Sequence, residues 1–262
     1  MHPRARSSQS PSFASSSQVV AIIPARYAST RLPGKPLADI GGRSMVEHVH
    51  RRVSTARSVH EVLVATDDER IADAVRAFGG DVRLTRSDHL NGTDRLAEVA
   101  ETLDCDLVVN VQADEPLIEP SMIDSAVAAC ANQDNVQMST LRCQLQGPDD
   151  LDDPHVVKVA VDHAGYALFF SRAAIGRDRS GAPPADAVGK HIGLYVYRRD
   201  FLVDLSRLPA TALEQSERLE QLRVLEYGHR ILTTETPHDP IGVDTPADLE
   251  LVRRLVATGA SA

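Results

Sequence analysis

Short runs of consecutive apolar residues alternate along this chain with longer segments in which apolar residues recur every three or four positions. The apolar runs predict strands that are buried on both faces, and the longer segments predict amphipathic helices. In the first half, the predicted strands span residues 19–23, 61–65, 107–111 and 138–141, and the predicted helices span residues 44–56, 68–78, 93–103 and 120–131. This alternation is typical of right-handed βαβ units. It predicts an α/β fold with a Rossmann-like, mostly parallel sheet and helices on both faces.

Beyond residue 140 the pattern changes to strand-like runs without long helical segments between them. This pattern predicts antiparallel strands over residues 156–161, 166–171 and 191–198, with a hairpin turn at 163–165. We expect these strands to form an inserted antiparallel layer over approximately residues 140–210. The segment 176–190, rich in Gly, Pro and Asp, predicts a loop above the functional site. A helix over 211–228, short strands over 230–234 and 241–243, and a helix that begins at Thr245 complete the predicted domain.

Composition and charge narrow the function classes. The 262 residues include 28 Lys and Arg against 37 Asp and Glu, a net charge of −9, which argues against a nucleic-acid partner. No apolar run approaches the roughly 18 residues of a membrane span, and three cysteines without ligand spacing indicate neither disulfides nor zinc. We therefore expect a soluble, cytoplasmic protein without a membrane partner.

The two ends of the chain differ from the rest in composition. Residues 1–18 contain seven serines and little apolar material, which predicts a disordered extension. A basic, serine-rich leader is also compatible with a transit peptide, although it shows no clear amphipathic periodicity. Residues 19–255 are expected to form the folded domain, and residues 256–262 a flexible tail.

Three cations follow the first predicted strand within ten residues: Arg26, Arg31 and Lys35. Open parallel sheets bind ligands at the carboxyl ends of their strands, so this basic loop indicates a site for a polyanion such as a nucleoside triphosphate. The loop lacks G-x-G-x-x-G, and its Gly-Lys pair is followed by Pro36 where a P-loop has Ser or Thr. Side-chain charge must therefore bind the phosphates. A solvated basic loop is the alternative.

Two aspartates are candidates for a metal site. Asp114 follows the predicted strand 107–111 at the same sheet edge as the basic loop, and Asp244 lies between residues 241–243 and the last helix. Magnesium in proteins prefers one or two carboxylates together with phosphate oxygens and water, so two aspartates are enough. From the residues alone, a turn or helix-capping role stays open for both.

Residues 22–37, IIPARYASTRLPGKPL, closely resemble the signature of the 3-deoxy-manno-octulosonate cytidylyltransferases, the CMP-Kdo synthetases. Similar blocks extend the resemblance over roughly residues 19–255. They are ATDD (65–68), GTDRLAE (92–98), VNVQADEP (109–116), FSR (170–172), HIGLY (191–195), LEQLR (219–223) and GVDTP (242–246).

The resemblance implies a CTP-dependent nucleotidyltransferase that transfers CMP from CTP to a small acidic acceptor and releases pyrophosphate. The implied acceptor is 3-deoxy-manno-octulosonate, and the implied cofactor is Mg²⁺. The implied assembly is a homodimer that forms through the inserted layer. By the same resemblance Asp114 and Asp244 bind the metal, Lys35, Arg26 and Asp114 are catalytic, and Arg31 holds the loop or the leaving group. The implied CTP-binding residues are Arg26, Arg31, Lys35, Asn91, Gly92, Thr93 and Gln112.

The implied acceptor-binding residues are Arg172, His191, Tyr195, Glu220 and Gln221. Period two on a strand places His191 and Tyr195 on one face, and a helix over 211–228 would place Glu217, Glu220 and Gln221 on one side. Arg172 could pair with a substrate carboxylate through two hydrogen bonds. A solvated helix face and a structural ion pair are the alternatives.

Three residues depart from the family pattern: Ala113, Gly176 and Val196. Added methyl groups at a pocket would narrow it, which leaves open a smaller acceptor such as another 2-keto acid or phosphonoformate. The alternative is that Val196 only repacks the core, because it lies on the strand face opposite Tyr195. A nucleotide-sugar glycosyltransferase is a further alternative. A catalytically silent nucleotide sensor is disfavoured, because a pure binder needs neither metal carboxylate.

Overall fold

The computed structural model describes residues 17–28, 32–89, 91–177, 179, 181 and 186–259. The strands are β1 (Val19–Ala25), β2 (Asp39–Ile40), β3 (Arg43–Ser44), β4 (Glu61–Thr66), β5 (Asp81–Leu84), β6 (Leu107–Asn110), β7 (Met138–Cys143), β8 (Lys158–Val161), β9 (Ala167–Ser171), β10 (Val188–Arg198) and β11 (Ile231–Glu235). The helices are α1 (Met45–Val53), α2 (Glu69–Ala77), α3 (Gly92–Ala100), α4 (Pro120–Ala131), α5 (Pro148–Asp152), α6 (Arg199–Ser206), α7 (Ala212–Glu217), α8 (Gln221–Glu226) and α9 (Pro246–Thr258), with a 3-10 turn at Lys35–Leu37.

Within these residues the main sheet has nine strands, and its principal order is β11-β7-β10-β6-β1-β4-β5. Its neighbours are parallel except at β10, which runs antiparallel to both β6 and β7. The hairpin β8–β9 extends the sheet from the first residues of β10. The predicted mostly parallel α/β sheet is confirmed. The predicted antiparallel strands are present. They belong to the main sheet, because β10 pairs with both β6 and β7.

Helices cover both faces of the sheet, as the alternating pattern predicts. On one face, apolar residues of α1, α2 and α4 such as Val49, Ile71 and Ile123 pack on the sheet. On the other face, α3, α6 and α8 contribute residues such as Leu96 and Leu202. No helix in the described ranges is long and apolar enough to span a bilayer.

Several local predictions agree closely with the structure. Helix α4 has the predicted bounds, and a tight turn at residues 162–166 joins β8 to β9. Helix α9 begins with a capping box in which Thr245 and Asp248 satisfy each other's backbone N–H groups. Strand β5 was not predicted, because it is an edge strand with mostly exposed residues and no apolar run.

The predicted helix over residues 211–228 is wrong, because the chain forms two short helices there. Arg218 adopts a left-handed conformation (φ 55°, ψ 48°) that ends α7, and α8 begins at Gln221. A tertiary contact accompanies the break: the Glu217 carboxylate accepts hydrogen bonds from Ser171 Oγ at 2.8 Å and Arg172 N at 3.0 Å. The side chain of Glu217 is therefore turned away from those of Glu220 and Gln221, contrary to the predicted common face.

Candidate active site

A cleft of about 320 Å³ lies beside the ends of the central strands. Its lining comes from the start of α3, the end of β6, the segment before β8, β10 and the break between α7 and α8, with single residues from β7 and α6. The side chains that matter below are Thr93, Asn110, Gln112, Lys190, His191, Tyr195, Tyr197, Arg218, Glu220 and Gln221. We refer to this space as the cleft.

Lys35 joins the two candidate metal ligands. Its Nζ donates to Asp114 Oδ2 at 2.6 Å and to Asp244 Oδ1 at 3.1 Å. Burial alone would lower the pKa of Lys35, but the charges of both aspartates and their hydrogen bonds raise it, so the amine stays protonated. The structure thus brings together three residues that the sequence places far apart.

Backbone contacts fix this arrangement. The N–H of Val243 donates to the carbonyl oxygen of Asp114 at 2.9 Å, which ties the segment before α9 to the segment after β6. Residues 241–243 form no strand, contrary to the prediction, because this bond lies outside any ladder. Gly34, with φ 68°, allows the turn that precedes Lys35.

The aspartate pair fits a magnesium ion. The side chains of Asp114 and Asp244 keep 30% and 51% of their surface exposed, which leaves room for water and phosphate oxygens. No group of three or more His, Cys, Asp or Glu side chains within the described residues forms a closed metal cage. A two-carboxylate site of this kind suits Mg²⁺ better than it suits zinc.

Glu115 adds little negative charge to this pair. Its carboxyl is enclosed, and this burial, together with the neighbouring Asp114, raises its pKa to about 8. Near neutral pH the group is therefore largely protonated.

Arg26 lies at the end of β1, beside a second recess of about 270 Å³ that Asp67, Ser87 and Arg95 also line. Arg95 is fully buried and forms an ion pair with Asp67 at 3.2 Å. Burial, followed by the like charge of Arg95, lowers the pKa of Arg26. Two crowded guanidinium groups favour a bound anion. Arg31, the third cation of the basic loop, lies outside the described residues.

The predicted CTP-binding residues at α3 divide into two groups. The Asn91 side chain caps the helix, since its Oδ1 accepts from Asp94 N at 2.8 Å. Gly92 and Thr93 line the cleft, and Thr93 Oγ1 donates to Glu220 at 2.5 Å. Gln112 also lines the cleft and makes only a long bond, 3.4 Å, to the Gly193 carbonyl.

His191 and Tyr195 project from one face of β10, as predicted, with ring centroids 5.5 Å apart. Thr140 Oγ1 donates its one proton to the carbonyl of Leu194 at 2.8 Å. It can therefore only accept a hydrogen bond from His191, and we assign the donor as the protonated Nε2 of His191, 3.1 Å away. Burial lowers the pKa of His191 to about 3. The imidazole is therefore neutral, and its Nδ1 is left as a hydrogen-bond acceptor.

The two predicted acceptor residues of the α7–α8 region lie at the cleft. Gln221 is only 4% exposed, and its Nε2 has no hydrogen-bond partner among the described residues. Glu220 lies at the mouth of the cleft, where partial enclosure of its carboxyl raises its pKa despite the hydrogen bond from Thr93. The cleft therefore offers one unused buried donor and one carboxyl to a ligand.

Arg172 is not brought to the cleft. Its guanidinium donates to the backbone carbonyls of Glu217 at 3.1 Å and Pro154 at 3.2 Å. The structure therefore corrects the expected position: through Nε and Nη1, Arg172 joins the loop before β8 to the end of α7, and it is not among the residues that line the cleft.

Sequence reasoning missed several cleft residues. Asn110 is 3% exposed, and its Oδ1 lacks a hydrogen-bond partner within the described part of the chain. Tyr197 lies next to Tyr195, with ring centroids 6.0 Å apart, and burial raises its pKa. A polar residue that ends an apolar run was the available signal for Asn110. Arg218 and Lys190 carried no such signal.

The residues that depart from the family pattern do not narrow the cleft. Ala113 and Val196 both belong to the hydrophobic core on the α4 side of the sheet. Val196 is fully buried there, so it repacks the core. Gly176 is exposed in the loop after β9. The structural reason for expecting a smaller acceptor is therefore wrong.

Comparison with known proteins agrees with this geometry. Residues 20–231 match the sequence model of the family described as cytidylyltransferase. The 3-deoxy-manno-octulosonate cytidylyltransferase of Geobacter sulfurreducens is 55% identical over 243 residues, which cover 89% of this chain and 97% of that protein. The enzyme of the same name from Solibacter usitatus is 51% identical over 240 residues, which cover 91% of this chain and 94% of that protein.

Among solved structures, CMP:2-keto-3-deoxy-manno-octonic acid synthetase complexed with CTP superposes with a TM-score of 0.87 at 43% identity. It covers 93% of this chain and 100% of its own. The fold and these matches identify the class of protein, a CTP-dependent nucleotidyltransferase. Within that class, the chain belongs to the family of 3-deoxy-manno-octulosonate cytidylyltransferases.

Proposed function

We propose that this enzyme transfers CMP from CTP to 3-deoxy-manno-octulosonate and releases pyrophosphate. The observation that carries the proposal is that Lys35 and the aspartate pair lie at the same sheet edge as a cleft lined by His191, Tyr195 and Gln221. Hydroxyls and a neutral imidazole suit a polyhydroxylated acid, and the relatives bear that name.

Asp114 and Asp244 would hold Mg²⁺, which when bound neutralises charge on the triphosphate oxygens. Lys35 contacts both carboxylates, and in the reaction its ammonium is positioned to stabilise the charge that grows on the leaving pyrophosphate. Arg26, crowded against Arg95, adds a second positive charge at the same edge. The protein contributes positioning and charge, with no covalent intermediate.

On the acceptor side, neutral His191 and buried Gln221 offer complementary groups. Nδ1 of His191 can accept a hydrogen bond from an acceptor hydroxyl, and Nε2 of Gln221 can donate one. Since both groups are buried, leaving them unpaired is costly, so a ligand that satisfies them is preferred. This supports a hydroxylated acceptor over a small acid that lacks such groups.

We further propose that the enzyme is a homodimer formed through the β8–β9 hairpin. Among the described strands β9 pairs only with β8, and a single bridge from Tyr166 to Leu232 ties the residues just before it to β11. The remaining edge, over residues 167–171, has no strand beside it within the described residues. Leu168 on this strand is 63% exposed, the largest such value among the large apolar side chains described. An open strand edge with an exposed leucine favours association with a second copy.

We place the enzyme in the cytoplasm. Cys105, Cys130 and Cys143 are all free thiols, and burial raises the pKa of each to about 11. Unpaired cysteines are typical of a reducing compartment.

The test of the function is to incubate the purified protein and Mg²⁺ with each nucleoside triphosphate and a panel of acids, and to measure pyrophosphate. We expect release that requires CTP and is fastest with 3-deoxy-manno-octulosonate. Faster release with phosphonoformate or a shorter 2-keto acid would contradict the proposed acceptor. Formation of a nucleoside diphosphate would contradict nucleotidyl transfer altogether.

A further inference from the structure

The carboxylate of an acidic acceptor is best bound by a cationic side chain in the cleft. Most of the cationic side chains there already form ion pairs with carboxylates of the protein. Lys190 Nζ lies 2.7 Å from Asp239 Oδ1. Arg223 donates two hydrogen bonds to Glu214, at 2.8 and 2.5 Å. Neutral His191 offers no positive charge.

Arg218 differs from these residues. It lines both the cleft and the adjoining recess beside α3 and α6, and its side chain is exposed to them. No ion pair or hydrogen bond of its guanidinium is found with any other described residue. Arg172, for which the sequence suggested carboxylate binding, donates instead to backbone carbonyls.

The backbone of Arg218 gives a second, independent observation. It is the one non-glycine residue with positive φ among the described residues. A left-handed residue after the last turn of a helix is usually Gly or Asn, because a Cβ is disfavoured there. Here the position carries a long cationic side chain, and backbone strain of this kind clusters at functional sites.

We propose that Arg218 binds the carboxylate of the acceptor and thereby selects an acidic substrate. The inference rests on the proposed function in one respect, because it requires that the acceptor be an acid. The break between α7 and α8 then has a functional consequence, because it places Arg218 at the same cleft as Glu220 and Gln221. A guanidinium there pairs with a carboxylate through two parallel hydrogen bonds.

The test compares Arg218→Gly, Arg218→Asn and Arg218→Lys with the unaltered enzyme. Gly and Asn tolerate the left-handed conformation, so both variants should fold, and Arg218→Gly should melt at the same temperature or about 2 °C higher. We expect both to raise the KM for the acid by about 10- to 100-fold, while the KM for CTP stays within about twofold. Arg218→Lys should retain part of the affinity. Arg254→Gln, the same charge change on remote α9, is the matched control.

A readout specific to the carboxylate completes the test. The methyl ester of the acid serves as a competitive inhibitor, and its inhibition constant should change by less than about twofold in Arg218→Gly. Two results would overturn the assignment: an unchanged KM for the acid, or equal weakening of acid and ester.

The outcomes separate this inference from the proposed function. If the unaltered enzyme prefers an acid other than 3-deoxy-manno-octulosonate, the proposed acceptor is wrong, and the same variants are then measured with the preferred acid and its ester. If it turns over 3-deoxy-manno-octulosonate and the Arg218 variants do so equally well, the proposed function stands and the role of Arg218 is refuted.

Discussion

Lys35 contacts both candidate metal ligands of this enzyme. Its ammonium lies between two carboxylates that come from distant parts of the chain. Without that cation, Asp114 and Asp244 would repel each other. A single lysine therefore holds the pair together and also faces the phosphates, and we propose both roles for it. Loss of Lys35 should reduce the rate on the order of 10² to 10³.

The first prediction concerns the aspartates. Asp114→Asn and Asp244→Asn keep the shape of the side chain and remove its charge, so each should abolish turnover at ordinary Mg²⁺ while leaving the melting temperature nearly unchanged. The measurement is pyrophosphate release across a magnesium titration. Asp134→Asn, at an exposed position outside the site, is the control. Either variant retaining more than about half of the activity contradicts the metal assignment.

The second prediction concerns the pH dependence of stability. Burial lowers the pKa of His191 from 6.5 to about 3, so between these values the unfolded chain binds a proton that the folded chain does not. The associated stability is complete above pH 6.5 and is lost as the pH falls, by up to about 1.4 kcal/mol per pH unit. Removal of the imidazole in His191→Gln should flatten the curve of unfolding free energy by that slope.

Urea unfolding at pH 7, 6 and 5 measures this difference. His163→Gln removes an exposed histidine from the β8–β9 turn and provides the control. Parallel curves for the unaltered enzyme and His191→Gln would show that folding leaves the pKa of His191 unchanged, so the lowered pKa assigned here would be wrong.

At the scale of elements, the cleft depends on how the ends of strands and helices are held. The segment before β8 is a clear case. Lys158 is fully buried, and its Nζ donates to the carbonyls of Asp153, Val156 and Arg172 at 2.9, 2.7 and 2.5 Å. One side chain thus joins the start of β8 to the preceding loop, of which residues 155–157 line the cleft.

The third prediction follows from these bonds. Lys158→Met fills a similar volume but leaves three carbonyls without their donor, which should cost about 2–4 kcal/mol of unfolding free energy. Thermal unfolding should show a fall of several degrees, and the KM for the acceptor should rise because residues 155–157 line the cleft. Arg230→Met, an exposed cation stacked on Tyr166, is the control. A melting temperature equal to that of the control would show that Lys158 does not hold this segment.

The helices and strands also differ in how well the sequence predicted them. Strongly periodic elements such as α4 and β1 were predicted closely, because burial imposes their pattern directly. The helix over 211–228 was not, because its pattern continues across Arg218 while Glu217 bonds to the chain after β9. That contact joins residues 45 or more positions apart, and no local pattern contains it.

At the scale of the whole molecule, the family blocks gave most of the candidate site, and the fold explains why they are separate in sequence. Asp114 follows β6, His191 belongs to β10 and Gln221 begins α8, so three distant parts of the chain supply these residues. The sequence did not indicate three cleft residues, Asn110, Lys190 and Arg218. The role of each depends on which hydrogen bonds and ion pairs its side chain forms in the folded protein. Roles of this kind become visible only when the ion pairs are known.

The fourth prediction concerns assembly. Leu168→Asp places a charge on the open edge of β9, so it should convert the proposed dimer to a monomer without changing the fold. Analytical ultracentrifugation measures the mass, and circular dichroism checks the fold. Leu84→Asp, at the opposite edge of the sheet and 49% exposed, is the control. A monomeric unaltered enzyme, or a Leu168→Asp dimer, would contradict the proposed interface.

The bond from Val243 N to Asp114 O has a consequence for synthesis on the ribosome. Lys35 reaches its first carboxylate 79 positions later and its second 209 positions later, near the end of the chain. The central strands can pair while the second aspartate is still untranslated, so an unfinished chain would hold one metal ligand and a lysine already paired with it. The enzyme would then acquire activity in one late step and consume no CTP beforehand. Pyrophosphate release followed during synchronised translation would accordingly begin only when chains that include Asp244 appear.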